Sequence, residues 1–189
     1  MLVSPPDFRL RPLHRLWRLL PVQERRWLMT RAGGLLAPRP DRHPPPPVGG
    51  IAVAGELSYP SGLGEGARLM LLALEQLGIQ GFPIDVGTSM PGSGKPMPVV
   101  EPPSAVPLLV HVNSPQMALA LLRLPRGLLR GRRVIGHWAW ELPVVPPDWR
   151  IGTRFVHEIW APSRFTADAL ESLMPGRVRV VPYLSLIHI

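Results

Sequence analysis

From residue 51 onward, short apolar runs alternate with stretches of helical period. The runs at 51–55, 82–86, 108–112, 133–137, 155–160 and 178–181 read as strands. Between them, 64–77 reads as a helix with Leu69, Leu72, Ala73 and Leu77 on its apolar face and Gly78 closing it. Ser114 is placed to cap a helix over 114–124, and Ser163 one over 164–174. Alternation of short apolar strands with helices predicts a Rossmann-like α/β domain, a parallel sheet covered by helices on both faces, over 51–183.

The first fifty residues follow another pattern. In 1–37, Leu10, Leu13, Leu16, Trp17 and Leu20 fall on one face of a short helix, with Arg9, Arg11, Arg15 and Arg18 around the rest. Two readings stand: a basic amphipathic helix lying on an anionic membrane surface, or a helical extension packed on the domain or a partner. Residues 38–50, with Pro44 to Pro47, read as an extended polyproline-type linker. Residues 87–106, rich in Pro, Gly and Ser, read as a long loop.

Charge sharpens this division. The net charge is +8, of which residues 1–48 carry +6 and the remaining 141 residues +2. A nearly balanced body gives no basic stripe for nucleic acid, which is not an expected partner. The chain has no cysteine, so disulfides and thiolate metal sites are excluded. No apolar run approaches the ~18 residues of a membrane span. Charged residues interrupt every signal-peptide core, so a cytoplasmic protein is expected, with peripheral contact at the inner membrane face through 1–37 under the first reading.

Ligands of open parallel sheets bind at the carboxyl ends of the strands, so candidate chemistry is sought there. After the first strand, the segment from Gly55 to Gly66 opens a helix with Gly62, Leu63, Gly64 and Glu65 in its first turn. Backbone N–H groups at the positive end of a helix suit a phosphate, whereas the same glycines also suit a tight turn and close packing. A dinucleotide site is the rival, with Asp85 as ribose ligand. Against it, the spacing is Gly-x-Gly-x-Gly and the turn is long, and a loop cap is the favoured role for Asp85. After the fourth strand come His137, Trp138, Trp140 and Glu141, then Trp149. Indole faces stack on sugar rings and carboxylates bond hydroxyls, but tryptophans also fill cores. His111 and Asn113 end the third strand, and Ser163 and Arg164 follow the fifth. Ser163 suits an N-cap, and Arg164 is able to reach an anion. No zinc-like spacing, P-loop or nucleophile elbow is present.

Four segments together resemble the N-terminal domain of family 4 glycosyltransferases. They are Ser61 to Arg68 (SGLGEGAR), Asn113, Trp138 to Leu142 (WAWEL), and Glu158 to Phe165 (EIWAPSRF). The resemblance covers roughly 51–183. It implies the GT-B arrangement, in which two Rossmann-like domains face each other across a cleft. The first domain binds the acceptor, and its Gly-rich loop approaches the donor diphosphate. The second binds the nucleotide sugar and carries a Glu-x7-Glu motif. Such enzymes transfer the sugar with retention, need no metal for the chemistry, and take the nucleotide sugar as substrate rather than as cofactor. The resemblance therefore implies a nucleotide-sugar donor and a glycan or lipid acceptor. Gly62, Leu63, Gly64, Glu65 and Arg68 would lie on the donor-phosphate side. Asn113, His137, Trp138, Trp140, Glu141, Ser163 and Arg164 would lie on the acceptor side. This chain departs from the pattern in having no Glu-x7-Glu. It also has His137 where an aromatic such as tyrosine is expected, and no catalytic residue is assigned. The closing residues 184–189 depart from the family's continuation and resemble sequencing-adapter read-through, so a truncated fragment, inactive alone, is expected.

Overall fold

A computed structural model describes residues 19–87 and 101–183. The strands are β1 (Ile51–Gly55), β2 (Gly81–Asp85), β3 (Leu108–His111), β4 (Val134–His137), β5 (Glu158–Ala161) and β6 (Val178–Val180). They form one parallel sheet in the order β2-β1-β3-β4-β5-β6. The chain runs outward from β1 to β2, then crosses back to β3 and proceeds the other way. The reversal makes the gap between β1 and β3 the topological switch point. The helices are α1 (Val22–Leu36), α2 (Gly62–Gln76), α3 (Ser114–Arg123) and α4 (Arg164–Glu171), with 3₁₀ segments at Arg126–Leu129 and Pro147–Phe155.

The two-residue period of the strands divides the core in two. Val53, Leu109 and Ile135 point to one face and meet Ala67, Met70 and Leu74 of α2. Ala52, Ala54, Leu108, Val110 and Val134 point to the other and meet α3, the Pro147–Phe155 segment and α4. The Rossmann-like α/β expectation is met, but the buried stripe of α2 is not the predicted one. Leu72 and Leu77 are exposed, and the helix packs through Gly64, Gly66, Ala67, Met70 and Leu74. Small residues win because the helix rides close to the sheet: a Cβ on Gly55 would stand 2.6 Å from that of Ala67. The helix also starts two residues earlier than expected, at Gly62 behind Ser61. Ser114 does not cap α3. It is buried within the first turn and its hydroxyl donates to the Trp149 carbonyl.

Most of the predicted helix over 10–20, most of the 87–106 loop and residues 184–189 lie outside the described residues. The rest of the N-terminal region is attached to the domain. Gly33 of α1 faces Ala118 of α3, where a Cβ would lie 3.3 Å away, and Gly34 faces Ile151 at 2.7 Å. Ala37 joins the core. The linker is likewise tied down at the amino ends of the strands. Asp41 Oδ2 accepts from Gly131 N at 2.7 Å, and the Asp41 carbonyl meets His157 Nε2 at 2.8 Å. Because His157 Nδ1 accepts from Val134 N at 2.8 Å, the ring proton sits on Nε2 and is donated to Asp41. Among the described residues no helix is long and apolar enough to cross a membrane.

Candidate ligand cleft at the switch point

β1 ends at Gly55 and the chain turns through 56–61 before α2. Ser61 organises the turn. Its hydroxyl donates to Glu56 Oε2 at 2.7 Å and accepts from Gly64 N at 3.0 Å, a side-chain N-cap. Arg68 braces the same turn from α2, bonding Leu57 O at 2.9 Å and Glu65 Oε2 at 2.9 Å. The three glycines then separate by role. A Cβ on Gly64 would collide with the carbonyl oxygens of Glu56 and Tyr59, and one on Gly66 would lie 2.7 Å from both His111 Cε1 and Tyr183 Cε1. Packing demands both glycines. Around Gly62 nothing lies within 4 Å of a Cβ, and no packing reason holds there. Gly62 and Leu63 occupy the first two helical positions, whose N–H groups have no partner within a helix, and both line an open cleft.

That cleft has a volume of about 720 Å³ and lies over the switch point, with Asn113, Trp140, Glu141, Leu142 and Tyr183 on its other walls. Asn113 ties the two sides of the site together. It ends β3, and its Oδ1 accepts from Ala139 N at 2.9 Å in the loop after β4, which leaves its amide NH₂ for other use. Trp140 stands at the wall with its ring against Trp149 (centroids 5.0 Å apart, planes at 62°) and its Nε1 donating to Val144 O at 3.0 Å. Its carbonyl is held by Thr166 Oγ1 at 2.9 Å. The indole is therefore fixed on two sides, as a platform for a flat apolar ligand face must be.

Beneath the cleft floor, His111 and His137 stack at 4.3 Å with planes 10° apart, and Tyr183 leans on both at 5.7 and 5.0 Å. Both imidazoles are fully buried. Burial, with His137 adding to it, lowers the His111 pKa to about 3, and burial lowers that of His137 to about 4. Burial also raises that of Tyr183. The pair is neutral at physiological pH and so adds no positive charge under the cleft.

The structure thus brings Gly62, Leu63, Asn113, Trp140 and Glu141 together around one space. Trp138 is fully buried against Trp149, and of the sequence's two readings for it the core one holds. His137 lies below the floor. Gly64 has its N–H taken by Ser61, and Glu65 and Arg68 pair with each other at 2.7 Å. Ser163 caps α4, accepting from Thr166 N at 3.1 Å, and Arg164 is exposed beside Asp168 and Glu171, outside the cleft. Asp85 is a loop cap, accepting from Gly87 N at 2.8 Å. Sequence reasoning missed Tyr183, which no local pattern marks, and had Leu142 only as the last residue of the WAWEL segment. The histidine stack did leave a trace: β3 and β4 each end in a histidine at matching register, visible once the two strands are known to be neighbours. Among the described residues no group of three potential metal ligands occurs.

Fold and cleft together define an open parallel, Rossmann-like α/β domain with a ligand-sized cleft at its switch point. Comparison with models of known protein families, with curated proteins and with solved structures finds no match for this chain.

Proposed function

We propose that this domain is the acceptor-side half of a retaining glycosyltransferase of the GT-B kind, similar to family 4. The observation that carries the reading is the meeting, in one cleft, of two first-turn helix N–H groups that have no intrahelical partner with a fixed indole and an exposed carboxylate: Gly62 and Leu63 face Trp140 and Glu141. In this reading the Gly62 and Leu63 amides receive a phosphate oxygen of a nucleotide-sugar donor. Trp140 stacks on the apolar face of an acceptor sugar, and Glu141 and the Asn113 amide bond its hydroxyls. A second nucleotide-binding domain completes the enzyme. Catalysis then rests on placing the acceptor hydroxyl beside the anomeric carbon and on stabilising the leaving diphosphate. The 189-residue chain alone transfers no sugar.

The test is ligand-observed NMR on the purified chain against a panel of mono- and oligosaccharides, with nicotinamide dinucleotides as the competing class. Saccharide binding that weakens at least tenfold in Trp140→Ala supports the reading. Dinucleotide binding without saccharide binding favours an oxidoreductase domain and overturns it.

A separate observation favours peripheral membrane contact as well. Val22, Leu35 and Leu36 of α1 and the preceding Leu19 are all more than half exposed in a region rich in arginine.

A further inference from the structure

The amino ends of the strands carry a second cavity, of about 420 Å³, with a chemistry unlike that of the cleft. Arg42 and His43 of the linker form one wall, and Arg133, His157, Arg177 and Arg179 of the sheet form the others. Among the described residues the only carboxylate lining it is Glu158, already committed to Arg133 at 3.1 Å. Arg42, Arg177 and Arg179 have no ion-pair partner among the described residues. Four guanidiniums against one carboxylate leave the cavity with an unbalanced positive charge.

The walls are built rather than incidental. The linker wall is held to the sheet by the two Asp41 contacts, so Arg42 and His43 stand beside the strand ends instead of trailing in solvent. Arg133 is held by Glu158, whose other oxygen receives Trp160 Nε1 at 2.9 Å. Arg179 lies in the edge strand β6 and Arg177 just before it, two residues apart and so on one side of an extended chain. Their neighbours on that side of β5, Glu158 and Trp160, are half-buried, because α2 packs mainly on β1, β2 and β3.

We infer that this cavity is a binding site for a phosphate-bearing anion, separate from the cleft and independent of the function proposed for it. Guanidinium forks match phosphate oxygens in pairs, and several around one space bind a polyvalent anion better than a single charge. The cavity exceeds what one phosphate fills, so a diphosphate or a phosphorylated headgroup suits it. Free phosphate compounds and anionic lipid headgroups share this chemistry.

Calorimetric titration of the chain with inorganic pyrophosphate tests the inference, with Trp160 fluorescence as reporter. An anion that draws on Arg133 disturbs the Glu158 carboxylate and so the indole bonded to it, and Trp160→Phe removes that signal. The expected result is saturable binding that falls at least tenfold in Arg42→Gln/Arg177→Gln, while Arg164→Gln/Arg150→Gln, with the same change of net charge elsewhere, leaves it within twofold. Sedimentation with phosphatidylglycerol vesicles, but not phosphatidylcholine vesicles, that the first double variant abolishes assigns a lipid headgroup as the source and also supports the site. Pyrophosphate binding that survives the first double variant belongs elsewhere, the cleft included, and overturns the inference. So does equal loss in both double variants, or absence of binding to both pyrophosphate and vesicles.

Discussion

The two ends of the sheet use opposite means to meet a ligand. At the carboxyl ends, the cleft presents backbone N–H groups, an indole and an amide above a neutral, fully buried pair of imidazoles. At the amino ends, the cavity presents long, exposed cationic side chains. The first set is made by the same turn and helix start that close the core, so disturbing it disturbs the fold. The second is attached to a finished scaffold and should be removable at little structural cost. Position in a parallel sheet dictates this contrast, because helix N-termini follow the strands only at their carboxyl ends.

The largest effect that would sharpen the contrast is acid sensitivity. His111 and His137 are held neutral, with pKa values of about 3 and about 4 against an ordinary 6.5. As pH falls below 6.5 the unfolded chain takes up protons that the folded one refuses. The stability present in full above that pH is therefore lost on the way down through about 4 and 3, a loss on the order of several kcal/mol. Urea midpoints recorded from pH 7 to 4.5 should fall steeply, and His137→Phe should flatten the curve. An equally steep curve in the variant would break the link between the buried pair and stability.

Next in size is Gly64→Ala, which forces a methyl group against two carbonyls and should cost about 1–3 kcal/mol by urea denaturation. Its neighbour Gly62→Ala, with open space around it, should stay within about 0.5 kcal/mol. Equal losses at the two positions would mean that Gly62 is also a packing glycine. Ser61→Ala should cost about 1 kcal/mol, since it removes both the cap of α2 and the tie to Glu56. Smallest of all, Arg42→Gln/Arg177→Gln at the amino end should change the urea midpoint by no more than about 0.5 kcal/mol in stability. A larger loss there would show that the arginine wall holds the fold together as the cleft does.

Much of the fold was legible from residue types alone. Six short apolar runs separated by helix-length segments leave few alternatives to a parallel α/β sheet. Ser163 and Gly78 act in the structure as their chemistry predicts: one caps α4, and the other takes a φ of +68° just past the end of α2. The buried face of α2 was not legible. A helix rich in leucine offers more than one apolar stripe, and the closeness of the sheet selects the small residues Gly66 and Ala67 over the larger leucines. The site was legible in part. Gly62, Leu63, Asn113, Trp140 and Glu141 share the cleft, whereas Arg68 and Ser163, equally plausible by type, are directed elsewhere by local bonds, and Arg164 lies on another part of the surface.

By itself the sequence determined the class of fold, the end of the sheet at which to look, and the residue types able to meet a ligand. These depend on periodicity and on chemistry that each residue carries with it. Tertiary structure alone decided which tryptophan is wall and which is core, that two histidines roughly 85 Å apart in an extended chain, at ~3.3 Å per residue, stack 4.3 Å from each other once strand pairing brings them together, and that a proline-rich linker closes a cavity of arginines. Each of these depends on which strands become neighbours and how closely a helix can approach them, quantities set by packing the whole domain.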